Sequence, residues 1–174
     1  MFRTFALPRF RTPSRRLRFT RPGWIVTVGS LVLGVAAIGT GNNLLYLLLG
    51  AVLGFIVLSG WMSEQTLRAL HVRRRVGAGA TAGEPARIAY EVANRKRRLP
   101  SFAVEVGEAE LPGRGWIAAL AAGEQGTVRA EHTWERRGVY PLRTVVLATA
   151  FPFGLFRKER DLELPGETTV WPRT

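Results

Sequence analysis

The pattern of apolar and polar positions divides the chain near Ser63. From Pro22 to Ser63 no Asp, Glu, Lys, Arg or His interrupts an apolar run whose main break is Gly41-Asn42-Asn43. One straight helix of that length would extend roughly 63 Å, about twice the ~30 Å hydrocarbon core of a bilayer. The run therefore predicts two transmembrane helices, Trp24–Thr40 and Leu44–Trp61, joined at Gly41, Asn42 and Asn43. These residue types favour turns, and the amides suit the headgroup layer better than hydrocarbon. The first span carries Gly29, Gly34 and Gly39 and is the weaker inserter. Two small-xxx-small pairs, Ser30/Gly34 and Gly50/Gly54, would let the helices approach closely.

From Leu70 the period changes to two. Leu70, Val72 and Arg74 alternate with His71, Arg73 and Arg75; Ala86, Ile88, Tyr90 and Val92 with Arg87, Ala89, Glu91 and Ala93; and Val128, Ala130, His132 and Trp134 with Arg129, Glu131, Thr133 and Glu135. Further strands are predicted around Phe102–Val106, Trp116–Leu120 and Leu142–Thr149, with short final pieces at Asp161–Leu164 and Thr168–Trp171. Gly83-Glu84-Pro85, Leu99-Pro100-Ser101, Leu111-Pro112-Gly113, Gly123-Glu124 and Leu164-Pro165-Gly166 punctuate them as turns. The expected fold is an N-terminal transmembrane α-helical hairpin followed by an all-β antiparallel sandwich, Ig-like in architecture. The domains are a basic cytoplasmic tail (1–21), the hairpin (22–63) and a cytoplasmic β-sandwich (64–174).

Charge orients this arrangement. Net charge is +12, and residues 1–21 hold seven Arg and no acid. Beside a span such a tail, expected to be extended or disordered, reads as a positive-inside signal that also touches anionic lipid, more than as a nucleic-acid arm. Arg68 and Arg73-Arg74-Arg75 flank the second span, whereas the turn is uncharged. Both ends are therefore expected in the cytoplasm of a bacterial inner membrane, with the turn outside and Trp24 and Trp61 at one face. A cleaved signal peptide competes for the first span, but its basic region is long and a second span follows directly.

Cysteine is absent, which excludes disulfides, thiolate metal sites and a Cys nucleophile. The two histidines, His71 and His132, have no nearby cluster of carboxylates at metal-ligand spacing, and no nucleophile elbow, phosphate loop or dinucleotide fingerprint occurs. Glu108 and Glu110 share a face if their strand continues, and a solvated pair is expected there rather than an acid/base pair. No catalytic, cofactor or metal residue is assigned, and no enzyme is expected.

Several motifs, in order, carry a family resemblance: Gly41-Asn42-Asn43-Leu44-Leu45-Tyr46, Asn94 with Leu99-Pro100-Ser101, Arg136-Arg137-Gly138-Val139-Tyr140, Phe151-Pro152-Phe153-Gly154-Leu155-Phe156 and Val170-Trp171-Pro172. Over most of residues 20–172 the chain resembles the bacterial membrane-protein family called domain of unknown function 58. The resemblance implies a membrane-anchored accessory protein found with MoxR-type AAA+ ATPases and with transglutaminase-like membrane proteins, and it supplies no established activity. Longer relatives continue into a von Willebrand factor A-like domain. This chain stops at Thr174 and has no Asp-x-Ser-x-Ser pattern, so it is expected to be a short member, half of a split protein or a truncation, and no metal-dependent adhesion is carried over.

Three segments are candidates for contacts. Phe151, Phe153, Leu155 and Phe156 form either a partner-docking strip or a bent strand completing the core. Arg95, Lys96, Arg97 and Arg98, with Arg15, Arg16 and Arg18, are either solvated or in contact with anionic lipid or an acidic partner. Tyr140 is expected to return its hydroxyl to nearby backbone across the Gly138 turn. The leading expectation is a non-catalytic scaffold whose sandwich docks a protein of a membrane complex, an AAA+ ATPase, von Willebrand factor A-like or transglutaminase-like protein. The alternative is an anionic-lipid or nucleic-acid binding protein using the Arg-rich segments, nucleic acid being the weaker partner.

Overall fold

The computed structural model describes residues 15–75 and 79–173; the part of the expected basic tail before Arg15 lies outside the described residues. Helix α1 (Arg21–Thr40) begins where Thr20, in extended backbone, accepts a 3.1 Å hydrogen bond from Gly23 N, with Pro22 in the first turn where a missing N–H costs little. It ends at Gly41, whose φ of 63° lets its N–H return to the Ala37 carbonyl without a Cβ clash. Asn42 then caps α2 (Asn43–Leu67) by accepting from Leu44 N at 2.9 Å. The hairpin turn thus stops one helix and starts the next, as the residue types predict.

Both helices are long and apolar enough to cross a membrane. At 20 and 25 residues they measure about 30 and 37 Å, and α2 runs six residues past the expected end at Trp61. Ile25, Leu31, Val35, Ile38, Leu47 and Val57 are exposed, so these are not the core helices of a globular domain. Ser30 and Ala37 are buried, and a Cβ at Gly34 would touch Leu49 Cδ2 at 3.6 Å; this stripe is the face on α2. Gly50 and Gly54 instead face open space, which corrects the expectation that their pair helps bring the two helices together.

The β-body has two sheets. One has the order β1 (Arg15–Phe19), β9 (Phe156–Trp171), β8 (Gly138–Thr149), β5 (Ser101–Glu108), β6 (Gly115–Leu120), with β3 (Ala80–Thr81) added parallel to β9. The other has the order β2 (Leu70–Arg75), β4 (Pro85–Asn94), β7 (Gln125–Thr133). All other pairings are antiparallel. Alternate residues face between the sheets: Leu70 and Val72, Ile88, Tyr90 and Val92, Val104 and Val106, Val145 and Leu147 form one buried core. The apolar helical hairpin and the antiparallel sandwich are therefore as the pattern predicts.

Three expectations change. Residues 15–19 are not unstructured tail: β1 pairs with the start of β9, Arg15 opposite Arg160 and Phe19 opposite Phe156. The short pieces Asp161–Leu164 and Thr168–Trp171 are parts of one 16-residue strand. Leu164-Pro165-Gly166 is a bulge and not a turn, because the register slips between Leu142/Gly166 and Thr144/Glu163 and places an extra residue, near the N–H-less Pro165, on β9. At ~3.3 Å per residue β9 spans about 50 Å.

Candidate functional site

The residues singled out in the sequence converge on the foot of the hairpin, where both helix ends meet the sandwich. Phe151–Leu155 is the β8–β9 connection. A cis Phe151–Pro152 peptide and Gly154 at φ 66° shape it, with Gly154 N donating to the Ala150 carbonyl at 2.8 Å. Thr20 N and Thr20 Oγ1 both donate to the Leu155 carbonyl, at 3.2 and 3.0 Å, and the hydroxyl also contacts the Gly154 carbonyl. A Cβ at Gly23 would overlap the Leu155 carbonyl, so glycine is what allows α1 to start against this loop. Leu155 and Phe156 are buried, and Phe156 meets Phe19 edge-on at 5.1 Å. Phe151 stacks on Phe102 at 4.9 Å, and Phe153 stacks on Phe55 of α2 at 4.0 Å. The aromatic run is neither a strand completing the main core nor a free strip: it packs against β1, β5 and the hairpin.

The second foot is locked by polar groups. Only Arg68 and Ala69 separate α2 from β2; Ala69 takes φ 53° and its carbonyl accepts from Arg95 N at 3.0 Å. Lys96 Nζ donates to the carbonyls of Gln65 (2.7 Å), Thr66 (3.3 Å) and Pro100 (3.2 Å) and to Ser101 Oγ (2.7 Å), while Ser101 Oγ donates to Thr66 O at 2.8 Å. A cation thereby covers the negative end of α2. Burial lowers the Lys96 pKa. Asn94, fully buried, holds the loop by donating Nδ2 to the carbonyls of Leu99, Leu120 and Ala121 and accepting from Lys96 N. This gives Asn94 and Leu99-Pro100-Ser101 a shared structural role.

The remaining basic candidates surround this foot. Arg95, Arg97 and Arg98 are exposed and, with Arg68, line a broad depression beside Lys96. On the inner face of β1 and β9, Arg15 pairs with Glu64 at 3.0 Å, and Lys158 reaches Gly60 O at 2.8 Å and Glu64 at 3.2 Å. Between these strands and α2 lies a groove of about 380 Å³. On the opposite face Arg16 reaches Asp161 at 3.8 Å, and Arg18 lies opposite Arg157 in the register. Arg157 makes a two-pronged contact with Glu105 (3.0 and 2.6 Å) and also meets Glu159. Its hydrogen bonds pull the Glu105 pKa down against burial, and Glu105 holds Arg157 above its ordinary value.

One buried polar cluster escaped the sequence reading. Glu108 is not solvated: it is 1 % exposed and accepts from Arg74 Nε and Nη2, each at 2.8 Å, and from Tyr90 OH at 2.9 Å. Arg74 Nη1 also donates to Leu164 O (2.7 Å) and Leu142 O (3.3 Å), the carbonyls at the β9 bulge. Burial, then the Glu108 charge, drives the Tyr90 pKa upward, so Tyr90 remains a donor. The cluster is enclosed between sheets with every partner internal, which makes it a structural clasp. The signal for it was the period-two continuation Val104, Val106, Glu108.

Tyr140 OH donates to Arg136 O at 2.8 Å, the corner expected from the motif. His132 is buried next to Trp134; burial lowers its pKa, opposed by the Pro112 carbonyl and Glu108. No group of three His, Cys, Asp or Glu side chains suited to a metal occurs among the described residues. No protein-family model and no curated protein matches the chain, so its function is argued from this geometry.

Proposed function

We propose that the chain is a membrane-anchored, non-catalytic interaction module. In this reading the hairpin crosses a bacterial plasma membrane twice with both ends cytoplasmic, and the sandwich docks a protein partner on the outer face of its larger sheet. One observation carries the docking surface. Trp116, Val139 and Trp171 stand 60 %, 61 % and 59 % exposed on β6, β8 and β9, next to the inward-facing Ile117, Tyr140 and Val170 respectively. Among the described residues, β2, β4 and β7 have no exposed large hydrophobic side chain, and their outer face carries the ion pairs Arg75–Glu91 and Arg87–Glu131. Exposed tryptophans bordered by charge are the residue types that dominate protein interfaces.

The orientation is supported by the Arg-rich segments at both feet and the uncharged turn. Retention of the first helix is supported by β1, which precedes it and is hydrogen-bonded to β9. An Ig-like reading of the sandwich is supported by the sheet orders β2-β4-β7 and β9-β8-β5-β6 and by the Tyr140 corner at the start of β8. The family resemblance makes an AAA+ ATPase, a von Willebrand factor A-like or a transglutaminase-like membrane protein the partners to look for. A photoreactive side chain placed at Trp116 or Trp171 in native membranes should give the same discrete protein adduct from both positions and none from Arg87. Absence of an adduct, or identical adducts from Arg87, would overturn the docking face.

A further inference from the structure

We propose that the groove between α2 and the β1–β9 pair binds the phosphate of an anionic phospholipid headgroup. The inference rests on the hairpin spanning the membrane. The register sets Arg15 opposite Arg160 and Leu17 opposite Lys158, and these residues line the groove with Glu64 and Arg68 of the α2 end. Of the two carboxylates in the lining, Glu64 is shared by Arg15 and Lys158, and Glu159 is paired with Arg157. Arg68 and Arg160 have no ion-pair partner among the described residues, so two guanidinium groups in the groove lining are left without a protein carboxylate, and a phosphate, which accepts paired N–H bonds from a guanidinium, suits them in charge and geometry.

Depth selects the source of that phosphate. With Trp61 at the membrane face, Glu64 and Arg68 lie about 4.5 and 10.5 Å beyond it along the helix axis, which is the headgroup layer outside the ~30 Å hydrocarbon core. The negative end of α2 would oppose an anion here, but Lys96 and Ser101 occupy its Gln65 and Thr66 carbonyls. Leu17 and Leu67 add apolar wall, which suits the glycerol side of a headgroup.

The test uses the full chain in nanodiscs containing phosphatidylcholine with phosphatidylglycerol or phosphatidic acid. Co-purifying lipid is counted by native mass spectrometry, and inorganic phosphate is titrated against the detergent-solubilised protein. The expected result is preferential retention of anionic lipid over phosphatidylcholine. Arg68→Gln and Arg160→Gln should each reduce it about five- to tenfold, and Arg129→Gln, exposed on β7, should leave it unchanged. Equal retention of the two lipids, unaltered retention in both groove variants, or the same loss in Arg129→Gln overturns the site. Phosphate binding that needs Arg68 and Arg160 without any lipid preference overturns the headgroup assignment in favour of a soluble phosphate. Failure of the wild-type chain to enter nanodiscs overturns the spanning hairpin, and the headgroup site with it.

Discussion

Phe153 stacks on Phe55 with ring centroids 4.0 Å apart and planes 28° from parallel. A loop of the sandwich therefore lies along α2 about 9 Å before the level of Trp61, counted along the helix. The Thr20–Leu155 contact, the Lys96–Ser101 cap and the Lys158 bonds to Gly60 and Glu64 attach the hairpin to the sandwich as well. Phe55→Ala and Phe153→Ala should each lower the thermal midpoint in detergent. Combined, they should lose less than the sum of the two, with a coupling of about 0.5–1.5 kcal/mol. Strict additivity would contradict the contact.

The Arg74–Glu108–Tyr90 clasp should respond asymmetrically. Arg74→Met or Glu108→Gln alone leaves a buried group uncompensated and should cost about 3–5 kcal/mol. The triple replacement Arg74→Met, Tyr90→Phe, Glu108→Leu should cost less than either single change plus Tyr90→Phe, because the charges and the phenol leave together. Some loss should persist, since Arg74 also serves the Leu142 and Leu164 carbonyls. Denaturant unfolding of the four variants checks the order.

Lys96 and its neighbours should separate cleanly. Lys96→Met uncovers the α2 carbonyls and should cost about 1–3 kcal/mol, whereas Arg97→Met and Arg98→Met, both exposed, should change stability by less than about 0.5 kcal/mol. Equal midpoints for the three variants would remove Lys96 from its capping role.

His132 gives the fold a pH dependence of definite sign. Burial holds its pKa below the ordinary 6.5, so above that value neither the folded nor the unfolded state binds the proton. As pH falls below about 6.5 the unfolded chain takes up a proton that the folded one refuses, and stability declines until the folded pKa is passed. Thermal midpoints between pH 7.5 and 5 should show this decline. His132→Asn should flatten it.

The hairpin was legible because one uncharged run, two caps and a Gly at the left-handed position all agree. The strands around Ile88, Val104 and Val128 are legible in their period-two alternation, and Arg74 is in phase with Leu70 and Val72. The aromatic run was visible as a feature, yet its partners Phe55, Phe19 and Phe102 are distant in sequence and share no local pattern with it. β1 was hidden because three Arg in five residues read as tail, and its pairing closes on Arg160, far along the chain. Pro165-Gly166 reads locally as a turn, and the donors that Arg74 supplies to the carbonyls at the bulge come from the other sheet. Glu108 is charged, which suggests solvent, yet it is in phase with Val104 and Val106 and is buried with them.

A twice-spanning hairpin with the sandwich on its cytoplasmic side can be probed by cysteine labelling, because the chain has no cysteine of its own. Asn43→Cys at the turn and Glu110→Cys on the sandwich provide single labelling sites. A membrane-impermeant maleimide applied to intact spheroplasts should label the Asn43→Cys protein, and should label the Glu110→Cys protein only after the membrane is opened. Labelling of both from outside, or of Glu110→Cys alone, would contradict the account.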